Sequence, residues 1–151
     1  MRFYINGQDT PVVVDDHLPV KENGELAFAS CNSGEIWVAL LEKAWAKLHG
    51  TYVRTEGGLP SFAAFHIMGV PAESYNHDEI KSRDKFFEML CQSDRRNYTM
   101  MSACRGEGEE QHENGLVSGH AYSLIDVFKI KHEGKVLRLL KLRNPWGCGE
   151  W

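Results

Sequence analysis

The chain lacks an apolar run approaching the ~20 residues a bilayer-crossing helix needs. Its first residues, Met1-Arg2-Phe3-Tyr4-Ile5-Asn6-Gly7, contain no signal-peptide core. It also lacks any excess of positive charge: the formal net charge is −4, so composition gives no support to a nucleic-acid role. No two of its cysteines, Cys31, Cys91, Cys104 and Cys148, form a C-x-x-C pair, which argues against a zinc ribbon or a thioredoxin-type site. Neither a repeat nor a low-complexity linker interrupts it. These absences point to a protein without a transmembrane segment, expected in the cytoplasm with its thiols reduced.

What is present suits a folded α+β chain. Apolar residues make up 42% and charged residues 25% of the 151 positions, which is ordinary for a packed domain and unlike a disordered segment. Arg2–Ile5, the turn signal Asn6-Gly7 and the β-branched run Val12–Val14 predict an opening hairpin. Leu26–Phe28 reads as a further short strand. Apolar residues at Ile36, Trp37, Leu40, Leu41, Ala44, Trp45 and Leu48 keep a 3.6-residue period and predict a core-packing helix, with Asn32 and Glu35 as its capping pair and Gly50 as its stop. Ser61–Met68 reads as a short helix ended by Gly69. A second long helix is expected from about Glu79 to Cys91, with Asn76 and Glu79 as a capping box. Tyr98–Cys104 reads as a strand, and the acidic, glycine-containing stretch Gly106–Gly115 as a mobile, solvated loop without the ligand spacing of an EF-hand. Two β-prone segments close the chain, about His120–Ile130 and Val136–Leu142, joined by a turn at Lys131–Gly134.

That last hairpin carries chemistry. Opposed residues in an antiparallel pair share a constant index sum, here about 264 to 266 for a turn centred near 132 to 133. His120 then faces positions near 144 to 146, where Asn144 stands, unless a bulge shifts the register by a residue or two. An imidazole is the side chain best suited to take a thiol's proton near neutral pH. A carboxamide oxygen accepting from its second nitrogen fixes the ring without adding charge, which is the Cys-His-Asn form of a catalytic triad. Spacing alone does not decide the matter, since the chain has seven histidines and such a pair is common. His17, His49, His66, His77, His112 and His132 are read as structural or surface residues.

Gly119-His120-Ala121-Tyr122-Ser123 resembles the histidine motif of calpains, and Arg143-Asn144-Pro145-Trp146-Gly147 resembles their asparagine motif. Val12–Asp16 with Leu18-Pro19 is similar to a calpain strand, and Glu35–Gly50 to a calpain helix along its whole length. The resemblance implies a papain-like α+β protease core, incomplete at both ends. Residues 1–69 would be the C-terminal part of a first lobe, and 70–151 most of a second. It makes His120 the general base and acid, Asn144 its orienter, and Trp146 a cover for their hydrogen bond. Substrate backbone would approach at Gly119. The nucleophile of the family sits in a Gly-x-Cys-Trp-like sequence that this chain does not contain. Cys31, just before the Glu35 helix, and Cys148, beside the asparagine motif, are poor stand-ins. The expected partners are therefore protein substrates and the remaining core segment that bears the cysteine. The fragment alone is expected to be inactive.

The resemblance further implies calcium as a regulatory ion, with Glu150 matching a family ligand, although a hard cation needs six to eight oxygens and one carboxylate cannot hold it. Cys148-Gly149 departs from the more polar family pair before that glutamate, and Val70 replaces a second glycine often found after Gly69. Two functional classes follow. One is a calcium-dependent cysteine endopeptidase making limited cuts in intracellular proteins. The other is a non-catalytic calpain homologue acting as a calcium-responsive protein-binding module.

Overall fold

The computed structural model describes residues 1–147. Glu150, the expected metal ligand, and Cys148 lie outside the described residues. The chain divides into two compact units, Met1–Ala72 and Glu73–Trp151. Helices and antiparallel strands are mixed in it, so the α+β class holds.

In the first unit, strand β1 (Arg2–Ile5) pairs with β2 (Gln8–Pro11), Ile5 opposite Gln8. Asn6 and Gly7 both have positive φ, 51° and 74°, as the two-residue turn that matches strand twist requires. The second strand thus begins earlier than the valine run implied. Val12 still pairs with Met1 through both backbone groups, but the carbonyl of Val13 is taken by the Lys47 ammonium. Lys43 binds Asp15 and the carbonyl of His17. Side chains of the following helix therefore hold Val13–His17, and no ladder forms there. The expected strand at Leu26–Phe28 reduces to one bridge, Val20 to Leu26, because Ala27 N–H bonds Pro19 and Ala29 N–H bonds the Glu42 carboxylate.

Helix α1 (Trp37–His49) presents Ala44 and the half-buried Leu41, Trp45 and Leu48 to Phe3 and Val12 of the hairpin. Phe3 is wholly buried, its ring 5.6 Å from that of Trp45. The expected capping pair does not cap it. The helix begins at Trp37, too late for Asn32, and the Glu35 carboxylate is engaged by the side chains of Ser33 and Trp37. Helix α2 (Pro60–Met68) starts on a proline at its first turn and ends on Gly69, at φ 68°. A side chain there would also meet the Tyr4 ring at 2.6 Å, so Gly69 serves both the cap and the packing.

In the second unit, Asn76 caps only a single 3-10 turn, His77–Glu79. The long helix α3 (Arg83–Arg95) starts later than expected, on Ser82, whose hydroxyl accepts from Lys85 N–H. Strands β3 (Met100–Ala103), β4 (Ala121–His132) and β5 (Lys135–Arg143) form one antiparallel sheet in that order. Phe87 and Cys91 of α3 pack on Val127 of β4. Ion pairs Arg138–Asp84 and Lys129–Glu88 tie α3 to the β4–β5 hairpin above the Phe87 ring. Glu133 and Gly134, at φ 49° and 76°, make its two-residue turn.

Candidate active site

The β4–β5 ladder pairs His132 with Lys135 and Leu140 with Val127, then shifts by one at a bulge between Leu124 and Asp126. Beyond the bulge Ser123 faces Arg143, so His120, just before β4, and Asn144, just after β5, reach the same end of the sheet. His120 is further tied to β3, its carbonyl accepting from Cys104 N–H at 2.9 Å. Asn144-Pro145-Trp146-Gly147 is a tight turn closed by Gly147 N–H to Asn144 C=O, with proline and glycine where such a turn favours them. Within it the Asn144 Oδ1 accepts from Trp146 N–H at 3.1 Å, an Asx turn that aims the carboxamide oxygen.

That oxygen lies 2.9 Å from His120 Nε2. Because Oδ1 is the acceptor, Nε2 donates and carries a proton. The imidazole is 6% exposed. Tyr122 meets it edge-on at 4.9 Å, and the half-exposed Trp146 packs at a tilt against it at 4.7 Å between ring centroids. The Tyr122 hydroxyl in turn accepts from Val117 N–H, fixing the chain just before Gly119. Val117, Ser118, His120 and Tyr122 are all buried, and the His120–Asn144 bond is itself partly buried, where a hydrogen bond is worth more than in water.

One partner was not foreseen. The second ring nitrogen, Nδ1, bonds Glu109 Oε1 at 2.7 Å. Glu109 belongs to the acidic stretch expected to be mobile and solvated. The stretch is indeed mostly exposed, but it is folded back: Gln111 bridges to Val117, Ser118 N–H bonds the Glu110 carbonyl, and His112 Nε2 lies 2.6 Å from Ser118 Oγ. Gly119 stands at φ 60°, and a Cβ on it would fall 2.7 Å from the Gly108 carbonyl oxygen. The pairing spans eleven residues of irregular chain, so no periodicity could have announced it.

The ring's two nitrogens are therefore held by Glu109 and Asn144, and neither Cys91 nor Cys104 bonds them. Cys91 is packed in the α3 core. Cys31 shares its hydrogen bonds with Ser33 and Glu35, not with an imidazole. The rings of His49 and His66 pack at a tilt against Trp45, while His17 and His132 are exposed. Among the described residues no three His, Cys, Asp or Glu side chains converge to hold a metal ion. None of their helices is long and apolar enough to cross a membrane.

The chain matches the pattern of the calpain family cysteine proteases over residues 1–151. It is 39% identical to human calpain-14 over 150 residues, covering 99% of this chain and 22% of that protein. It is 39% identical to human calpain-12 over 145 residues, covering 96% of this chain and 20% of the relative. Against the calpain-2 catalytic subunit of Gallus gallus the identity is 36% over 155 residues, with 99% and 22% covered. The chain thus spans about a fifth of the length of these relatives.

Proposed function

Because this chain belongs to the calpain family of cysteine proteases, we propose that it is the histidine- and asparagine-bearing part of a calcium-dependent endopeptidase core that makes limited cuts in intracellular proteins. The observation that carries this reading is the 2.9 Å contact between His120 Nε2 and Asn144 Oδ1 beside the Trp146 indole.

With Nε2 committed to Asn144, Nδ1 is the nitrogen left to do chemistry. A thiol presented to Nδ1 gives up its proton there, and the thiolate attacks the scissile carbonyl. The imidazolium then protonates the leaving amine. In the second half, Nδ1 takes a proton from water as it attacks the thioester, and returns it to the departing thiolate. Asn144 keeps the ring in register throughout without adding a charge that would compete with the thiolate. Trp146 shields the His-Asn bond from water. The cysteine would come from a segment outside these 151 residues, so the chain by itself would not turn over substrate. A cytoplasmic location belongs to the same proposal and fits the free thiols of Cys31, Cys91 and Cys104.

Calcium enters by kinship alone. The described residues offer no acidic cluster that fits it, Glu150 is not among them, and no step above runs through the ion.

The test is turnover of fluorescein-labelled casein by the full-length protein with calcium. His120→Ala should abolish cleavage and Asn144→Ala should lower it by a smaller factor. Unchanged turnover in the His120 variant would remove that residue from the mechanism. The residue at the family's nucleophile position separates this reading from a non-catalytic homologue, which would carry alanine or serine there.

A further inference from the structure

We propose that Asn6 is a site of spontaneous covalent modification, at which the Gly7 amide attacks the Asn6 carboxamide and converts the residue into aspartate and isoaspartate.

The sequence holds three Asn-Gly pairs: Asn6-Gly7, Asn23-Gly24 and Asn114-Gly115. Asparagine is among the thermolabile residues, and a following glycine has no side chain to shield its amide nitrogen. The chemistry is a ring closure. The Gly7 nitrogen gives up its proton to water and bonds to Asn6 Cγ. The Cγ–Nδ2 bond breaks, the leaving nitrogen takes a proton back, and ammonia departs from a five-membered succinimide. Water then opens the ring. Opening at Cγ gives aspartate. Opening at the backbone carbonyl gives isoaspartate, whose main chain runs through Cβ and Cγ. Water is the one co-reactant.

The structure separates the three pairs. Gly24 N–H donates to the Lys21 carbonyl at 3.0 Å, and Gly115 N–H to the His112 carbonyl at 2.9 Å. The carboxamides before them are held as well. Asn23 Oδ1 accepts from Glu25 N–H while its Nδ2 donates to the Glu25 carboxylate, and Asn114 Oδ1 accepts from Leu116 N–H. In both pairs nucleophile and electrophile are engaged elsewhere. At the hairpin tip neither is: the Gly7 N–H and the Asn6 carboxamide have no hydrogen-bond partner among the described residues, and both residues are exposed.

The ring closes only when the Asn6–Gly7 peptide rotates out of its turn. What resists is the Ile5–Gln8 pair, at the exposed end of a two-stranded sheet. Such an end opens at little cost compared with the core behind it.

The two products differ in consequence. The turn sets the register that places Phe3 opposite Thr10, and Phe3 is the wholly buried ring against α1. Asp-Gly suits the same two-residue turn as Asn-Gly, so aspartate keeps that register. Isoaspartate puts an extra carbon into the main chain at the turn, which then no longer fits the strands it joins. Modification at Asn6 thus loosens the first unit.

The experiment ages the full-length protein at neutral and mildly alkaline pH, with leupeptin present against proteolysis. Peptides containing residues 6, 23 and 114 are resolved by mass spectrometry, and isoaspartate is read by methyl transfer from an isoaspartyl methyltransferase. Asn6 should be converted at least about fivefold faster than Asn23 or Asn114, the factor that one retained hydrogen bond is worth. Its rate should rise with pH, because the deprotonated amide is the nucleophile. Conversion at Asn23 or Asn114 as fast as at Asn6, or an Asn6 that survives ageing intact, overturns the proposal. Melting followed by Trp45 fluorescence tests the consequence, with Asn6→Gly as the control that keeps a favoured turn and has no carboxamide. Aged wild type should melt lower than fresh protein, and aged Asn6→Gly should not. Equal losses in the two proteins, or none in a wild type shown to carry isoaspartate at position 6, would overturn the link to the hairpin.

Discussion

Two histidines are buried to nearly the same degree, one in each unit, and their ring nitrogens meet different surroundings. His66, 8% exposed, lies on α2 against Phe62 and the ring of Trp45, and its Nδ1 finds no hydrogen-bond partner among the described residues. His120, 6% exposed, has both nitrogens bonded, one to a carboxamide and one to a carboxylate. The first unit uses burial for packing: Phe3 and Ala44 are fully enclosed between a hairpin and a helix, and an imidazole serves there as a flat aromatic body. The second unit has a thin helix-on-sheet core, and several of its other buried residues, Val117, Ser118 and Tyr122, lie close in sequence to His120. Burial by itself does not tell the two histidines apart. The partners of their nitrogens do.

Substituting the two histidines alike is the sharpest way to break this contrast. His120→Phe should lower casein turnover of the full-length protein by at least about a thousandfold, the scale on which triad members act, whereas His66→Phe should leave the rate within about twofold. Comparable losses at both positions would erase the distinction.

The next effect is one of stability. Phe3→Ala should destabilise the first unit by about 3–5 kcal/mol, since a fully buried ring leaves a cavity between β1 and α1. Thermal unfolding followed by Trp45 fluorescence measures it. A loss below about 1 kcal/mol would mean that the hairpin–helix core is not what holds this unit.

Smaller still is His66→Phe in the same assay. Replacing a buried polar group that lacks a partner with an apolar ring of similar shape should be neutral to stabilising, by at most about 1 kcal/mol. A clear loss would show that His66 Nδ1 is bonded after all.

The smallest effect concerns pH. The Lys43 ammonium, helped by the backbone N–H of His17, lowers the Asp15 carboxyl from 3.8 to about 2. A carboxyl held low in the folded state contributes stability above its unfolded value and loses it as pH falls through the folded one. The contribution is therefore complete above about pH 4 and fades toward pH 2. Lys43→Met should flatten the fall in melting temperature across that window. Parallel curves for the two proteins would show that the pair does not support the Val13–His17 segment.

Much of the second unit's site was legible because a hairpin is an arithmetic object. A two-residue turn fixes an index sum, and the observed sums of 267 before the bulge and 266 beyond it, from His132 with Lys135 and Ser123 with Arg143, lie at or beside the expected range. The body of α1 was legible from its period. Its start was not, because Glu35 chose side-chain partners over the backbone. The start of α3 was missed because two capping residues, Asn76 and Ser82, stand six apart, and the first closes only one turn. Val12–Val14 looked like a strand because propensity cannot see two lysines arriving from a helix some thirty residues later. Glu109 was hidden for the same reason: its partner is reached through irregular chain, which carries no period.

The central claim is that the closing hairpin brings one imidazole and one carboxamide into contact beside an indole. Long-range 1H–15N correlation of the His120 ring in the 151-residue chain, read with nuclear Overhauser contacts to Trp146 and Asn144, tests it directly. A protonated Nε2, close to the Asn144 side chain and the Trp146 ring, is the expected result. An unprotonated Nε2 with no contact to either residue would contradict it.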